Sequence, residues 1–218
     1  MLPISMQVEI WSDIVCPWCY LGKRRFEQAL AGFGHRDEVD VVYRSFELDP
    51  AAPVGTTVPT VQLLAGKYGM SPEQAENAQR QMEERAAGDG LTFRMEDLRS
   101  GNTRDAHRLL HLAKVKGRQA ELIEALHRAY FTDQDSVFDH ASLARIAVGA
   151  GLDPGDVDKV LTTDQFADEV IADETTASAL GATGVPFFVI DRRYGISGAQ
   201  PADTIAHALQ HAWDNPAA

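Results

Sequence analysis

Ser12-Asp13-Ile14-Val15-Cys16-Pro17-Trp18-Cys19-Tyr20 holds both cysteines of this 218-residue chain, at the point where a short apolar strand gives way to a helix. The strand reads Val8-Glu9-Ile10-Trp11. The helix follows in Lys23, Arg24, Arg25, Phe26, Glu27, Ala29 and Leu30, with Phe26, Ala29 and Leu30 as an apolar stripe. Cys16 therefore falls at a helix entrance, where unpaired backbone N–H groups and the positive end of the helix dipole favour a thiolate over a thiol. Cys19, one turn on, is better shielded and can turn back on a mixed disulfide formed at Cys16. The pattern is that of a redox pair with an attacking and a resolving member. The competing reading is half of a tetrahedral zinc site. His107 and His111 have a ligand spacing on one helix turn, but the other five of the seven histidines form no second motif. No metal is expected.

Working outward, a second apolar segment from Val39 to Leu48 contains Val41, Val42, Tyr43, Phe46 and Leu48 and reads as a buried strand. One helix, ending near Gly32 or Gly34, separates it from the first strand. That makes a right-handed β-α-β unit with parallel strands. From Pro59 to about Leu180 the pattern turns helical, and helices are predicted near 59–68, 72–87, 103–116, 118–131, 140–149, 154–161 and 164–180. Strand character returns in Val185-Pro186-Phe187-Phe188-Val189-Ile190, turns at Asp191-Arg192-Arg193 and continues in Tyr194-Gly195-Ile196. A last helix carries Ile205, Ala208, Leu209 and Trp213 on one face. The predicted order is β-α-β, an all-helical block, then β-β-α, an α/β fold. Residues 1–58 with 182–218 make one domain and 59–181 the insertion.

Composition narrows the function. With 44% hydrophobic residues the chain can bury a sizeable core, and a net charge of −12 argues against nucleic acid as a partner. No stretch approaches the roughly 20 apolar residues of a membrane span. Met1 to Met6 lack the features of a secretory signal, so the sequence as it stands predicts a cytoplasmic protein. In a reducing compartment a Cys-x-x-Cys pair is more often catalytic than structural. Exposed helical faces permit a homodimer as well as a monomer.

The β-α-β unit with a Cys-x-x-Cys at its first strand-to-helix turn, followed by a β-β-α unit opening on Val-Pro, resembles the thioredoxin fold. Helices inserted between the halves resemble the DsbA family of thiol-disulfide oxidoreductases. The local strings are similar to its cytoplasmic FrnE-like branch: Cys16-Pro17-Trp18-Cys19-Tyr20 with Gly22-Lys23, Phe46-Glu47-Leu48-Asp49-Pro50, Asn102-Thr103 with Ala106-His107, Gly184-Val185-Pro186-Phe187-Phe188 and Ser197-Gly198-Ala199-Gln200. This resemblance implies exchange on disulfide- or thiol-containing protein or small-molecule substrates, with Cys16 as nucleophile. It implies no bound cofactor, with glutathione a candidate redox partner. It also implies a cis-proline at Pro186, leaving the backbone of Val185 open to an extended peptide or a glutathione-like ligand. An ordinary trans proline at a strand start is the plainer alternative.

Other residues carry two readings each. Pro17 and Trp18 occupy the positions that tune the pair. DsbA-like oxidants often place His there, and without that donor a potential between the roughly −120 mV of DsbA and −270 mV of thioredoxin is expected. Trp18 reads as a cover for the site or as a surface residue. Asp13 is expected to point outward into solvent, Lys23, Arg24 and Arg25 to form a solvated helix face, and Glu47 either to relay protons to Cys19 or to face water. Asn102 and His107 line a substrate pocket by resemblance to related glutathione-dependent branches; their plainer readings are a helix cap and a core histidine. Those branches, the 2-hydroxychromene-2-carboxylate isomerases and kappa-class glutathione transferases, supply the second functional reading. They usually carry Ser at the position of Cys16 and need no resolving Cys19. The kappa class also carries Ser-Asp where this chain has Ala199 and Gln200. A third reading is a non-catalytic, chaperone-like binding module.

Overall fold

Val8 and Ile10 alternate with Glu9 and Trp11 along the first strand, and all four are buried, because this strand is sandwiched with a covered surface on either side. The computed structural model describes residues 6–216; residues 1–5, part of the stretch that lacks secretory-signal features, lie outside the described residues. The elements run β1 (Met6–Ser12), α1 (Pro17–Ala31), a short 3₁₀ turn, β2 (Val39–Ser45), β3 (Thr57–Pro59), α2 (Thr60–Tyr68), α3 (Pro72–Gly88) and β4 (Arg99–Gly101). They continue with α4 (Arg104–Val115), α5 (Gln119–Phe131), α6 (His140–Gly149), α7 (Pro154–Thr162), α8 (Ala167–Ala179), β5 (Phe187–Ile190), β6 (Tyr194–Ser197) and α9 (Ala202–Asp214). The chain parts into two units. One takes the residues up to Phe46 and from Ile171 on, the other Glu47–Val170.

The first unit is a four-stranded sheet in the order β2-β1-β5-β6. β2 runs parallel to β1, while β5 and β6 are antiparallel to their neighbours, the pairing expected of a β-α-β unit joined to a hairpin. On one face Ile10 stands opposite Phe188, which stacks on Phe26 of α1 at 5.9 Å. On the other, Trp11 stands opposite Phe187, and both pack with Val189 against Ala177 of α8. α9 packs beside α1 and buries Ile205, Leu209 and Ala212. Ala212, rather than the expected Ala208, completes that face. Trp213 is half-buried and stacks on His35 at 4.1 Å.

A buried ionic cluster ties this unit together. The Glu9 carboxylate, 1% exposed, accepts from Arg44 on β2 and from Arg192 in the β5–β6 turn. Arg44 also pairs with Asp173 of α8 at 3.1 Å, and Asp173 accepts from the Ser45 N–H and offers its carbonyl to Trp11 Nε1. Burial alone would raise Glu9, but the two guanidinium groups outweigh it and hold its carboxyl below the ordinary value. These long-range bonds assign most of α8 to the sheet unit. The parting at Val170/Ile171 thus lies before the 181/182 expected from sequence, and the first parting falls at Phe46/Glu47 rather than 58/59.

The second unit is helical, with one departure from the all-helical block expected. β3 and β4 pair antiparallel, Val58 opposite Ser100. The helix limits follow local chemistry. Ser71 and Gln74 form a capping box ahead of Pro72, and Asp139 and Asp153 accept from first-turn N–H groups of α6 and α7. Arg108, buried on α4, donates to the carbonyls of Val160, Thr163 and Gln165 at the end of α7. Among the described residues no helix is long and apolar enough to cross a membrane.

Candidate active site

Cys16 is the N-cap of α1, extended at φ −88° and ψ 112°, with Pro17 at the first helical position. Pro there is at home, since its missing N–H would find no partner inside the helix. The Cys16 carbonyl accepts from the Cys19 and Tyr20 N–H groups, so the whole turn is wound around the pair. Both cysteines are free thiols and nearly closed off, Cys16 at 4% and Cys19 at 1% exposure. Trp18 between them is 41% exposed and Pro17 is half-buried.

Opposite the pair stands the start of β5. The Val185–Pro186 peptide is cis. The Cys16 thiol reaches the Val185 carbonyl at 3.7 Å. The Pro186 carbonyl is taken by the Gly198 N–H at 2.8 Å, which fixes the Val-Pro segment against the turn before α9. Pro186 also presses on α1: a Cβ built on Gly22 would lie 2.8 Å from the Pro186 ring, closer than such atoms approach. Glycine at 22 is therefore what lets helix and proline meet. Cys16, Cys19, Val185 and Pro186 are thus brought together with Pro17 and Trp18 beside them.

The two sulfurs are not alike. Burial, together with the hydrogen bond and charge of Cys16, raises the Cys19 thiol well above its ordinary value of 9.0. One contact works the other way: the Asp13 N–H donates to Cys19 Sγ at 3.5 Å.

The surroundings correct two expectations. Asp13 is buried, with its carboxylate accepting from the Ile14 N–H at 2.7 Å, because the turn between β1 and α1 folds the side chain onto its own backbone. Lys23 is buried as well, its ammonium 2.5 Å from Glu27, while Arg25 crosses to the Ala199 carbonyl at 2.7 Å. Of the three basic residues Lys23 is buried, and Arg24 and Arg25 are half-buried. Gln200 is turned to the Ser197 carbonyl at 2.8 Å.

Asn102 and His107 belong to the helical unit. Asn102 accepts from the Arg104 N–H and donates to the Ala52 carbonyl, both at 3.0 Å, which is a capping and loop-holding geometry. His107 is fully buried in α4, and His111 stacks on Phe166. Glu47 is likewise in that unit, its carboxylate on Arg104 at 3.2 Å. Among the described residues no group of three or more His, Cys, Asp or Glu side chains stands where it would hold a metal ion.

Comparison with known proteins follows the same lines. A probable DsbA oxidoreductase of Streptomyces coelicolor is 54% identical over 98% of this chain and 92% of its own, with a TM-score of 0.94. The uncharacterized protein YwbO of Bacillus subtilis is 26% identical over 94% of this chain and 96% of its own. The cytosolic disulfide reductase DsbM from Pseudomonas aeruginosa, solved with GSH, shares the fold at a TM-score of 0.64 and 16% identity, covering 95% of this chain and 99% of its own. The model of the DSBA-like thioredoxin domain matches residues 7–210, and the chain belongs to that family.

Proposed function

We propose that the protein is a thiol-disulfide oxidoreductase in which Cys16 attacks and Cys19 resolves. The observation that carries this reading is the asymmetry of the pair. Cys16 sits on the helix amino end against the Val185 carbonyl, and Cys19 lies beneath it with its thiol pushed up by burial. In the reductive direction the Cys16 thiolate attacks a substrate disulfide, one substrate thiol leaves, and Cys19 then displaces the other to close the Cys16–Cys19 disulfide. Oxidation of a substrate dithiol is the same sequence reversed. The Val185 backbone offers a pairing edge to an extended substrate, Pro186 shapes it, and Pro17 and Trp18 flank the entrance.

Substrates are disulfide- or thiol-containing proteins or small molecules, with glutathione as a redox partner; the likeness to the GSH-bound Pseudomonas reductase supports the latter. No bound cofactor enters the chemistry. A cytoplasmic setting fits, since both cysteines are in the pair and none remains for a structural disulfide. Transferase or isomerase chemistry fits less well, because Ala199 and Gln200 supply no carboxylate to a γ-glutamyl group and are held by internal bonds.

Reactivation of scrambled ribonuclease and reduction of insulin, wild type beside Cys16→Ser, tests the reading. Activity in wild type alone is expected, and equal activity in both overturns it. Turnover of a chromene carboxylate or a halogenated aromatic with glutathione would instead mark the isomerase or transferase chemistry. Suppression of aggregation independent of both cysteines would mark a chaperone-like module. Cys19→Ser should retain substrates as mixed disulfides on Cys16.

A further inference from the structure

Cys16, Gly22 and Arg25, met in turn along α1, all bear on the segment that carries the Val185–Pro186 peptide. Cys16 reaches the Val185 carbonyl with its thiol at 3.7 Å, and Gly22 lies against the Pro186 ring. Arg25, half-buried, goes around the proline: its guanidinium donates to the Ala199 carbonyl at 2.7 Å. Ala199 belongs to the turn between β6 and α9, and the residue before it, Gly198, gives its N–H to the Pro186 carbonyl at 2.8 Å. Gly198 has a φ of 78°, which glycine adopts without strain, and this lets the turn aim one N–H at Pro186 and the next carbonyl at α1. Gln200 closes the turn, with its N–H on the Gly198 carbonyl at 2.9 Å and its side chain on the Ser197 carbonyl at 2.8 Å. The helix of the cysteines is thus tied to the far side of Pro186 by two hydrogen bonds in series. The one from Arg25 has a charged donor, which makes it the stronger.

We infer that Arg25 is a positioning residue for polypeptide substrates: by holding the 198–200 turn to α1 it keeps the Pro186 carbonyl tied, and so keeps the Val185 backbone spaced from Cys16 as an extended chain requires. The inference rests on the exchange reading above and adds a substrate preference to it. A small disulfide needs only the Cys16 sulfur. A peptide needs that sulfur and the Val185 edge at once, and its backbone bonds to the edge help the reaction only while edge and sulfur hold their spacing. Arg25 acts on that spacing through the turn. Arginine suits the place because its planar fork is rigid and keeps its charge; lysine would bring charge and a donor on a freer stem.

Single-turnover reaction of the reduced protein with two disulfides that share a leaving group tests this. One is the symmetric disulfide of 5-thio-2-nitrobenzoate, the other a short unstructured peptide whose single cysteine carries the same group. In each, the Cys16 thiolate bonds to one sulfur, nitrothiobenzoate leaves with the electron pair and is read by its colour, and Cys19 then closes the pair and expels the remaining thiol. Arg25→Met should raise the half-saturating peptide concentration about three- to tenfold, the worth of one ordinary hydrogen bond, and keep the limiting rate. Its reaction with the small disulfide should stay as in wild type, and Arg25→Lys should recover part of the peptide affinity. Amide hydrogen exchange reads the tie with no substrate present: Gly198 should lose protection in Arg25→Met while the amides of β1 keep theirs. If Arg25→Met does not fold, Arg25→Lys and Arg25→Gln carry the same comparison, with Gln the weaker on peptide. Unchanged Gly198 protection, a peptide half-saturation equal to wild type, or equal losses on both disulfides overturns the role of Arg25 and leaves exchange standing. A wild type that releases no chromophore from either disulfide overturns the exchange reading and this role with it.

Discussion

At the scale of single residues, the Cys16–Cys19 pair could be read from the sequence because its meaning is local. A strand, a turn and a helix start within fifteen residues place one sulfur at the helix entrance and the other a turn inside. What surrounds the pair could not be read that way. Asp13 and Lys23 look like solvent-facing charges in a polar string, and only the folded turn and the packed face of α1 bury them. Gly22 reads as an unremarkable helical residue until Pro186, far along the chain, is laid on it. Adding one carbon at that contact forces either helix or proline to move, so Gly22→Ala should lose about 1–3 kcal/mol of stability. It should also lower exchange activity by disturbing the Cys16–Val185 approach; thermal melts and insulin reduction would report the two effects. The buried thiol of Cys19 makes a second prediction. Its folded value is raised, so the reduced protein holds that stabilisation below the ordinary thiol value of 9.0 and loses it as pH climbs beyond. Urea titrations at pH 7.5 and 10 should show the reduced form weakening more than the disulfide form, which has no thiol to titrate. Equal weakening would count against the burial argument.

At the scale of elements, helix limits were the most legible feature, since caps such as Ser71-Pro72 and Asp153-Pro154 act within a few residues. β3 and β4 were not. Each is three residues long, contains Pro or Gly, and gives no alternation to detect. α8 was found as a helix but assigned to the wrong neighbourhood, because what binds it to the sheet is Asp173 on Arg44 and Ala177 beneath Trp11. That binding can be tested. Arg44→Met leaves Asp173 and Glu9 buried with less compensation, and should cost about 3 kcal/mol, the low end for a broken buried pair because Arg192 still reaches Glu9. Glu9 adds a pH signature. Its carboxyl is held below the ordinary value of 4.5, so the stability it contributes is present above that value and drains away as pH falls through the folded one. Denaturant midpoints at pH 6 and 3.5 should therefore fall further in wild type than in Glu9→Gln, which carries no titrating carboxyl. A parallel fall in both would place the acid sensitivity elsewhere.

At the scale of the whole molecule, the balance between oxidised and reduced protein is set by how well each state is held, and here the reduced state has modest support. Pro17-Trp18 places no histidine beside Cys16, while burial penalises a charge on Cys19. Both effects weigh against the strongly oxidising extreme of about −120 mV, where a stabilised reduced form drives the reaction. Cys16 stands at the amino end of α1, the pole of a helix that favours negative charge, and this placement weighs against the reducing extreme near −270 mV. Equilibration with glutathione buffers, read by the fraction of alkylatable cysteine, should give a value between the two. Trp18 is 41% exposed, so His can replace it there without opening a cavity. Trp18→His should move the potential upward, towards the oxidising end, by favouring the reduced pair, with about 30 mV for each tenfold change in the exchange constant. An unmoved potential in Trp18→His would mean that the dipeptide does not tune this pair, and a wild-type value outside the window would mean that the balance of Cys16 and Cys19 has been misjudged.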